Sequence, residues 1–308
     1  MKQVRYHRYG KPDVLVIEEV AKPQLSSNQL LVRVSYVGLN PKDAALRNGF
    51  LKQLRNRSFP KLTGFDYAGS VEEVGKNVHE YQVGDRVMGY FEDLNGGAAA
   101  EFAAVKPDHI SRLSIDEKIA ASVPCVYLTA LQAYQQVRLR SGEKVLVYGA
   151  SGGVGTAAIQ LGKYFGAEVT AVSSSKNSSY CLGQGADHFI AYDKSDPFDD
   201  VKKYNHFFQV HVITGDRYSA AKNLLMKNGK FITLTPNPIR KLGNIFRSKK
   251  IFPIVVRARS EDLQLLDSLI SKGELNPQIS EEFSMEDIRK AHSMIQSQHV
   301  RGKIVLKA

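Results

Sequence analysis

The segment VLVYGASGGVGTAAIQLGKYFGAEVTAVSSSKN, residues 145–177, constrains the fold of this chain more than any other stretch. It reads as an apolar strand, a glycine-rich turn, a helix and a second strand. The helix carries an apolar stripe at helical spacing, made of Val154, Ala158, Leu161 and Phe165. Gly166 follows where a C-terminal cap belongs. A unit of this kind is typical of a parallel sheet covered by helices.

The glycine pattern of the turn indicates a site for a dinucleotide. The template G-x-G-x-x-G falls on residues 150–155, with alanine in place of the first glycine. Gly152 would let the backbone approach a pyrophosphate, and Gly155 would let the helix lie close to the strand. The N–H groups at the helix start would face the phosphates. The predicted cofactor-binding residues of the turn are Ser151, Gly152, Gly153, Val154 and Gly155. A purely structural tight turn is the alternative.

The second strand of this unit ends in hydroxyl groups and an ammonium group rather than in an acid. An NAD site usually has Asp or Glu there, about twenty residues past the turn, for the ribose 2′-hydroxyl. This chain has Ser173, Ser174, Ser175 and Lys176. A charge-assisted hydrogen bond to a 2′-phosphate contributes about 1.5–3 kcal/mol. We therefore predict NADP(H), with Ser173, Ser174 and Lys176 at its 2′-phosphate. An ordinary serine-rich loop is the alternative.

The predicted secondary-structure pattern changes twice along the rest of the chain. Short alternating strands, punctuated by glycine, extend to about residue 115, and strands then alternate with helices. Two amphipathic helices and the strand GKIVLKA close the chain, and this strand could pair back with the N-terminal strands. The 308 residues suggest roughly two domains. We predict an α/β fold in which a Rossmann-type doubly wound parallel sheet, 119–261, is inserted into a β-rich, partly open barrel, 1–118 and 262–308.

Charge and composition leave several partners open. The net charge of +11 could attract a polyanion such as RNA, or an anionic cofactor, or serve solubility. The densest basic run, residues 240–250, has no recognisable nucleic-acid module beside it. No apolar run approaches the roughly 18 residues of a membrane span. The N-terminus has no signal-peptide core, and the two cysteines do not form a disulfide framework. We expect a cytoplasmic protein without nucleic-acid or membrane partners.

The order of these motifs resembles the medium-chain dehydrogenase/reductase superfamily over nearly the whole chain. The resemblance rests on LTGFDYAGSVEEVGKNVHEYQVGDRV (62–87), LTALQAY, the glycine-rich unit and GKIVL. It implies that the β-rich domain is GroES-like. Zinc alcohol dehydrogenases of this superfamily carry a metal-binding histidine after the glycine of GFDYAG, and here Phe65 follows Gly64. The zinc-independent quinone oxidoreductases and enone reductases fit better, also through GLNPKDAALRNG (38–49).

The residue inventory separately argues against a metal. A catalytic zinc needs about three protein ligands from Cys, His, Asp or Glu. No cysteine precedes Cys125, and His7, His79 and His109 show no ligand spacing. We therefore expect no metal site.

The resemblance also implies roles for individual residues. It places Asn40 at the cleft, as a catalytic residue whose amide donates to the nicotinamide ribose or to the substrate carbonyl. An Asn-Pro turn with only a backbone role is the alternative. The further cofactor residues are Thr129 near the nicotinamide, Tyr192 near the adenosine phosphate, Thr235 at a strand's carboxyl end and Val255 at the nicotinamide face. Asp43 is predicted to cap the turn that follows it. Gln209 stands where relatives often have an acid, so cofactor binding there is left open.

These observations predict an NADPH-dependent, zinc-independent oxidoreductase that transfers hydride to quinones or α,β-unsaturated carbonyl compounds. The resemblance, and not the residue pattern, implies a homodimer. The cofactor would carry the difficult step. The protein would hold the reactants together and place donors near the developing oxyanion, and water could deliver the proton. Two alternatives stay open: a cofactor-fold protein that binds RNA or another polyanion, and a reductase of simple ketones or aldehydes. The second is weakened because no metal would polarise the carbonyl.

Overall fold

A computed structural model describes residues 1–210, 217–234, 250–297 and 300–308. In chain order its strands are β1 (Lys2–Tyr6), β2 (Leu15–Glu19), β3 (Leu30–Leu39), β4 (Lys61–Leu62), β5 (Asp66–Val74), β6 (Arg86–Tyr90), β7 (Phe102–Val105), β8 (Ile110–Arg112), β9 (Lys144–Tyr148), β10 (Glu168–Ser173), β11 (His188–Ala191), β12 (Tyr204–Gln209), β13 (Leu225–Thr233), β14 (Ile251–Pro253), β15 (Ile279–Ser284) and β16 (Lys303–Lys307). Its helices are α1 (Pro41–Arg47), α2 (Glu117–Ala121), α3 (Pro124–Val137), α4 (Gly153–Tyr164), α5 (Ser178–Gly183), α6 (Tyr218–Ala221), α7 (Ser260–Ser271) and α8 (Ile288–Gln296).

The chain forms two compact units. The first contains Met1–Leu128 and Arg257–Ala308, and the second contains Thr129–Val256. The boundaries predicted from the sequence were 118/119 and 261/262. The division between Leu128 and Thr129 falls within the continuous helix α3, and the predicted bounds stay a prediction. In the part of the chain that the structure describes, no helix has the length and apolar character to cross a membrane.

The first unit is built from two sheets that share one apolar core. The larger sheet has the order β15–β16–β3–β5–β6–β8, with β7 also pairing with β3, and the smaller has the order β2–β1–β4. The C-terminal β16 runs antiparallel to β3, with Ile304 opposite Leu39 and Leu306 opposite Val37. The predicted return of GKIVLKA to the N-terminal strands is thereby confirmed. The apolar side chains that these strands bury in the common core include Val4, Val32, Val37, Val87 and Ile304.

The second unit is organised around a parallel sheet with the order β11–β10–β9–β12–β13–β14. From β9 the chain adds β10 and β11 on one side and then β12, β13 and β14 on the other. The direction of winding therefore reverses between β9 and β12, as in a Rossmann fold, which confirms the predicted fold class. In such sheets ligands bind beyond the carboxyl ends of the strands at this switch point.

Helix α4 confirms the predicted apolar stripe in part. It begins at Gly153 and buries Ala158 and Leu161, whereas Val154 and Phe165 are half-buried and Phe165 is the C-cap just past the helix. Gly166, just beyond its end, has a φ of +77°, a left-handed conformation that glycine adopts without strain. In the sequence, Pro124 interrupts the helical pattern of residues 115–137, and in the structure α2 accordingly ends at Ala121 and α3 begins at Pro124.

Candidate active site

The glycine-rich turn joins the end of β9 to the start of α4. Gly149 has a φ of +94°, and the N–H groups of Gly149 and Ala150 each donate to the Val172 carbonyl at 3.0 Å. A Cβ added at Gly155 would lie 2.4 Å from the Gly149 oxygen, so a side chain there would separate the helix from the strand. A Cβ added at Gly152 would meet no protein atom closer than 3.9 Å. The backbone at Gly152 therefore borders open space.

The first turn of α4 presents N–H groups at this place. Gly152 is the N-cap, and Gly153, Val154 and Gly155 follow as the first helical residues. The first N–H groups of a helix have no intrahelical partner and carry a partial positive charge. Ser151, Gly152, Gly153 and Val154 are half-buried. The arrangement fits the pyrophosphate of a dinucleotide.

A hydrogen-bonded serine cluster, made of Ser151, Ser173, Ser174 and Asn177, lies at the carboxyl ends of β9 and β10. Ser173 Oγ donates to Ser151 Oγ at 2.8 Å. Asn177 Nδ2 lies 3.0 Å from Ser151 Oγ, 3.0 Å from Ser173 Oγ and 3.1 Å from Ser174 Oγ. Because Ser173 and Asn177 are buried, they position the half-buried Ser151 and Ser174. Sequence reasoning missed Asn177, although an asparagine directly before a helix was an available signal.

The structure brings to this cluster a carboxylate that the sequence spacing did not predict. Asp193, beyond β11, accepts hydrogen bonds from the Ser175 N–H and from the Ser175 hydroxyl, both at 2.7 Å. These bonds hold the pKa of the Asp193 carboxyl below its usual value. The acid was missed because it comes from the end of the next strand and not from the end of β10. The predicted 2′-phosphate subsite therefore has an acid at Ser175 as well as the exposed Lys176 next to it in the chain.

The other predicted cofactor residues are spread over the second unit. Tyr192 is 53% exposed, and its N–H donates to the Ser173 carbonyl at 3.1 Å, so it adjoins the serine cluster. Val255 is 74% exposed and follows β14, which is three strand spacings, or roughly 14 Å, from β9. Thr129 is buried in α3. Thr235 lies outside the described residues. The roles predicted for these side chains stay predictions.

Gln209 ends β12 in the middle of the sheet and is fully buried. Its side-chain oxygen accepts a hydrogen bond from the Arg217 N–H at 3.1 Å. Arg217 also borders an open cleft of about 480 Å³, which is lined by Tyr148, Tyr192, Asp193 and Phe198 among others. The amide at this position thus orders the chain beside a cleft that adjoins the serine cluster.

Asn40 belongs to a buried polar network in the first unit. Its Nδ2 donates to Asp66 Oδ2 at 3.0 Å, and its Oδ1 accepts from Lys303 Nζ at 2.7 Å. Lys303 Nζ also donates to Asp66 Oδ2 and to the Leu39 carbonyl, each at 2.9 Å. Both ends of the Asn40 amide are therefore engaged, and the residue also caps the start of α1. Its predicted donation to a substrate or to the ribose stays a prediction.

The ion pair between Asp66 and Lys303 ties the GFDYAG segment to the C-terminal strand. The two side chains are 0% and 5% exposed. Asp66 Oδ1 also accepts a hydrogen bond at 2.9 Å from the N–H of Cys125, in the first turn of α3. Removal of one member of such a pair leaves an uncompensated buried charge. Sequence reasoning missed this pair, although both residues lie in segments that it had singled out.

Asp43 does more than cap the turn that follows it. Its carboxylate accepts hydrogen bonds from the Asn40 N–H at 2.9 Å, the Thr63 hydroxyl at 2.8 Å and the Gly64 N–H at 2.7 Å. Burial nevertheless raises the pKa of Asp43 above its usual value, against the effect of these bonds. Asp43 thus fixes α1 to the chain just before Phe65.

Lys42 lies over Phe65, the residue at the position of the metal-binding histidine of zinc alcohol dehydrogenases. Lys42 Nζ is 3.8 Å from the centroid of the Phe65 ring, and it donates to the Tyr90 hydroxyl at 3.2 Å and to the Asp93 carbonyl at 2.9 Å. Burial lowers the pKa of the Lys42 ammonium. Burial also raises the pKa of the neighbouring Cys125 thiol to about 12, so this thiol stays protonated at neutral pH.

The described residues contain no group of three or more His, Cys, Asp or Glu side chains that could hold a metal ion. Two of the histidines considered in the sequence have acidic neighbours: His7 lies 2.6 Å from Glu18, and His109 lies 3.8 Å from Glu92. The expectation that the protein works without a metal stays a prediction.

The β-rich unit made from both chain ends and the inserted parallel sheet define the two-domain dehydrogenase class. The family model of the alcohol dehydrogenase GroES-like domain matches residues 26–115, and that of the zinc-binding dehydrogenases matches residues 184–306. A quinone-oxidoreductase homolog of the chloroplast of Spinacia oleracea is 32% identical over 100% of this chain and 98% of its own length.

Two further proteins extend this comparison. The chloroplastic NADPH-dependent alkenal/one oxidoreductase of Arabidopsis thaliana is 29% identical over 99% of this chain and 79% of its own length. The structure of the quinone oxidoreductase from Coxiella burnetii is 29% identical, with a TM-score of 0.93 over 100% of this chain and 99% of that one. The chain therefore belongs to the medium-chain dehydrogenase/reductase superfamily, in its quinone oxidoreductase-like branch.

Proposed function

We propose that this protein is an NADPH-dependent oxidoreductase that reduces quinones or α,β-unsaturated carbonyl compounds without a zinc ion. The observation that carries the proposal is the glycine-rich turn at the switch point of the parallel sheet, with open space beside Gly152. The similar proteins support the substrate class, because they are named as quinone and alkenal/one oxidoreductases.

The residues of the second unit fit a dinucleotide. The start of α4 would hold the pyrophosphate through N–H groups, and Gly155 keeps that helix close to the strand end. The serine cluster and Tyr192 lie on one side of the turn, and Val255 follows the strand at the far edge on the other. Carboxyl ends of neighbouring parallel strands thus line one edge of the sheet, where ligands of such sheets bind. When bound there, the cofactor would supply a hydride.

The preference for NADPH over NADH is supported by the hydroxyl groups of the serine cluster and by Lys176. Asp193 acts in the opposite direction, because a carboxylate repels a 2′-phosphate. Asp193 is already bonded twice to Ser175, which disperses part of its charge. We therefore keep NADPH as the proposed cofactor. The opposing charges of Lys176 and Asp193 would determine how strongly NADPH is preferred over NADH.

A zinc-independent reaction is supported by the surroundings of Phe65. Its ring offers no ligand atom, and the Lys42 ammonium lies 3.8 Å from the ring centroid, where it would repel a metal cation. A cysteine must lose its proton to bind zinc, and burial opposes that at Cys125. The name of the matching zinc-binding dehydrogenase family thus describes a property for which these residues are poorly suited.

The test is NADPH oxidation by the full chain with a quinone, an enone and a simple ketone as acceptors. We expect turnover with the quinone or the enone, little with the ketone, and no loss of activity after treatment with a chelator. The variant Gly152→Ala should keep the fold, because an added Cβ meets no protein atom within 3.9 Å, and should bind NADPH more weakly. Bound NADPH that no acceptor oxidises would refute the proposal.

Compartment, assembly and polyanion binding stay predictions. Cytoplasmic location and a homodimer were expected from the sequence, whereas the plant relatives above are named as chloroplastic. The basic run that motivated the RNA-binding alternative lies outside the described residues except for Lys250, and the similar proteins do not favour that alternative.

A further inference from the structure

Reduction of a quinone or an enone is assisted by a hydrogen-bond donor or a positive group at the substrate oxygen. Hydride addition to carbon moves an electron pair to that oxygen, and a donor aimed at it lowers the barrier. Zinc alcohol dehydrogenases use the metal for this purpose. Here a phenylalanine occupies the position of the metal-binding histidine, and the amide of Asn40 is engaged by Asp66 and Lys303. A further donor in this part of the first unit could therefore take this role.

Lys42 offers such a cation beside Phe65. Its Nζ lies over the Phe65 ring, so the ammonium is next to the place where the resemblance puts the metal ligand. A lysine has three N–H donors, and Lys42 uses two of them, on the Tyr90 hydroxyl and the Asp93 carbonyl. No described residue accepts a hydrogen bond from the third. The side chain is half-buried, so its charge is partly withdrawn from water yet can be reached.

The neighbours of Lys42 hold it in place without neutralising it. Tyr90, from β6, is neutral, because burial keeps its pKa well above the usual value. Cys125, from α3, is also neutral. The negative charges of Asp43, Asp66 and Asp93 act on Lys42 and favour its protonated form. None of the three forms an ion pair with it: Asp43 and Asp66 bind the groups described above, and Asp93 accepts from the N–H groups of residues 95 and 96.

We propose that Lys42 is a catalytic residue, whose ammonium group binds the carbonyl oxygen of the quinone or enone and gives it a proton. This inference rests on the proposed function, for which it names the group that stabilises the substrate oxygen. Tyr90 and Asp93 are positioning residues for Lys42. The alternative is that Lys42 only fastens the loop of Asp93 to α1.

The proton and electron balance of the step is complete. A hydride from bound NADPH would add, with both electrons of its former C–H bond, to the carbon conjugated with the carbonyl group (the β-carbon of an enone), so that NADPH is oxidised and the acceptor is reduced. The C=C electron pair would move to the bond beside the carbonyl carbon, the carbonyl π-bond would open towards oxygen, and an Nζ–H proton of Lys42 would move to that oxygen. Lys42 is left as a neutral amine and regains its proton from water. An enone thereby becomes an enol, which tautomerises to the saturated ketone.

A stable oxyanion can test this site without turnover. We would titrate 4-nitrophenol, bound to the full chain, by its visible absorbance. A cation at the oxygen should lower the pKa of bound nitrophenol by about 1–3 units. Lys42→Met should abolish this shift and weaken nitrophenolate binding about ten- to hundredfold. Lys22→Met is the matched control, because Lys22 Nζ also lies over an aromatic ring, 4.0 Å from the centroid of Phe102.

Kinetics give the second readout. Lys42→Met should lower kcat/KM for the enone by about 10²–10³-fold, with NADPH binding unchanged, while Lys22→Met should match the wild type. In the wild type, kcat/KM should fall as pH rises through the Lys42 pKa, which burial lowers. Lys42→Met should lack this descending limb, and Lys42→Arg should shift it beyond the accessible range.

The outcomes separate the two proposals. Wild-type kcat/KM and wild-type nitrophenolate affinity in Lys42→Met would overturn the role of Lys42. An inactive wild type would instead refute the proposed function, and Lys42-dependent nitrophenolate binding would then still support the oxyanion site. If Lys42→Met fails to bind NADPH or to fold, Lys42→Arg is the deciding variant. Because it keeps the positive charge, it should still bind nitrophenolate. If Lys42→Arg lacks the descending pH limb and also fails to bind nitrophenolate, the proposal is contradicted.

Discussion

Replacement of His292 by leucine should make the protein more resistant to acid. His292 lies on α8 in the first unit and is 0% exposed. Neither ring nitrogen has a hydrogen-bond partner within the described part of the chain. The buried guanidinium of Arg47 adds a like charge whenever the ring is protonated. Burial, with a smaller effect of Arg47, lowers the pKa of His292 to about 3.

The sign and size of the effect follow from the difference in pKa between the two states. An unfolded histidine has a pKa of about 6.5, so between pH 6.5 and about 3 the unfolded chain binds a proton that folded His292 does not. Each pH unit in this range costs about 1.4 kcal/mol of the free energy of unfolding. At pH 5 the loss from this one residue is about 2 kcal/mol, a large share of the roughly 5–15 kcal/mol of a typical protein.

The measurement is urea unfolding at pH 7.5 and pH 5.0 for the wild type and His292→Leu. The quantity to compare is the change in the free energy of unfolding between the two pH values. The effect of leucine on packing is the same at both pH values and cancels in this difference. We expect this change to be smaller by about 2 kcal/mol in His292→Leu. The exposed His79→Gln is the matched control and should lose as much stability as the wild type. An equal loss in His292→Leu would show that the ring finds a proton acceptor in the folded protein.

Two further predictions concern the polar groups of each unit. Lys303→Met should lower the free energy of unfolding by about 3–5 kcal/mol, because it leaves the buried charge of Asp66 without a partner. Adding Asp66→Asn should restore part of this loss, as measured by urea unfolding of both variants. A double variant that is no more stable than Lys303→Met would contradict this explanation. Asp193→Asn should raise kcat/KM for NADPH relative to NADH several-fold, because the neutral amide no longer repels a 2′-phosphate. An unchanged cofactor ratio would mean that Asp193 does not adjoin the 2′-position.

The elements that the sequence predicted well depend on local patterns. The start of α4 follows from the glycine template, its end from Gly166, and the start of α3 from Pro124. The return of GKIVLKA to the N-terminal strands was also predicted, but the sequence did not predict β3 and β15 as its two neighbours. The division between the two units falls inside helix α3, between Leu128 and Thr129, and a division within one continuous helix leaves no local mark in the sequence.

The polar groups of the site were harder to predict, because their partners are distant in sequence. Asp66 and Lys303 are 237 residues apart, and Ser175 and Asp193 are 18 apart. Motif spacing along one strand could not reveal the acid that the next strand supplies. The role given to Asn40 came from the resemblance alone, and the structure shows that its amide already has partners within the protein.

The two lysines near Asn40 illustrate what distinguishes a structural cation from a functional one. Lys303 has three acceptors for its three N–H groups: the Leu39 carbonyl, the Asn40 side chain and Asp66. It has no donor left for a ligand, and its charge is compensated. Lys42 has two acceptors among the described residues, both uncharged, so it keeps a donor and forms no ion pair with a described carboxylate. The same ammonium group can therefore hold a sheet together in one place and stabilise an oxyanion in another, according to how many acceptors the fold supplies.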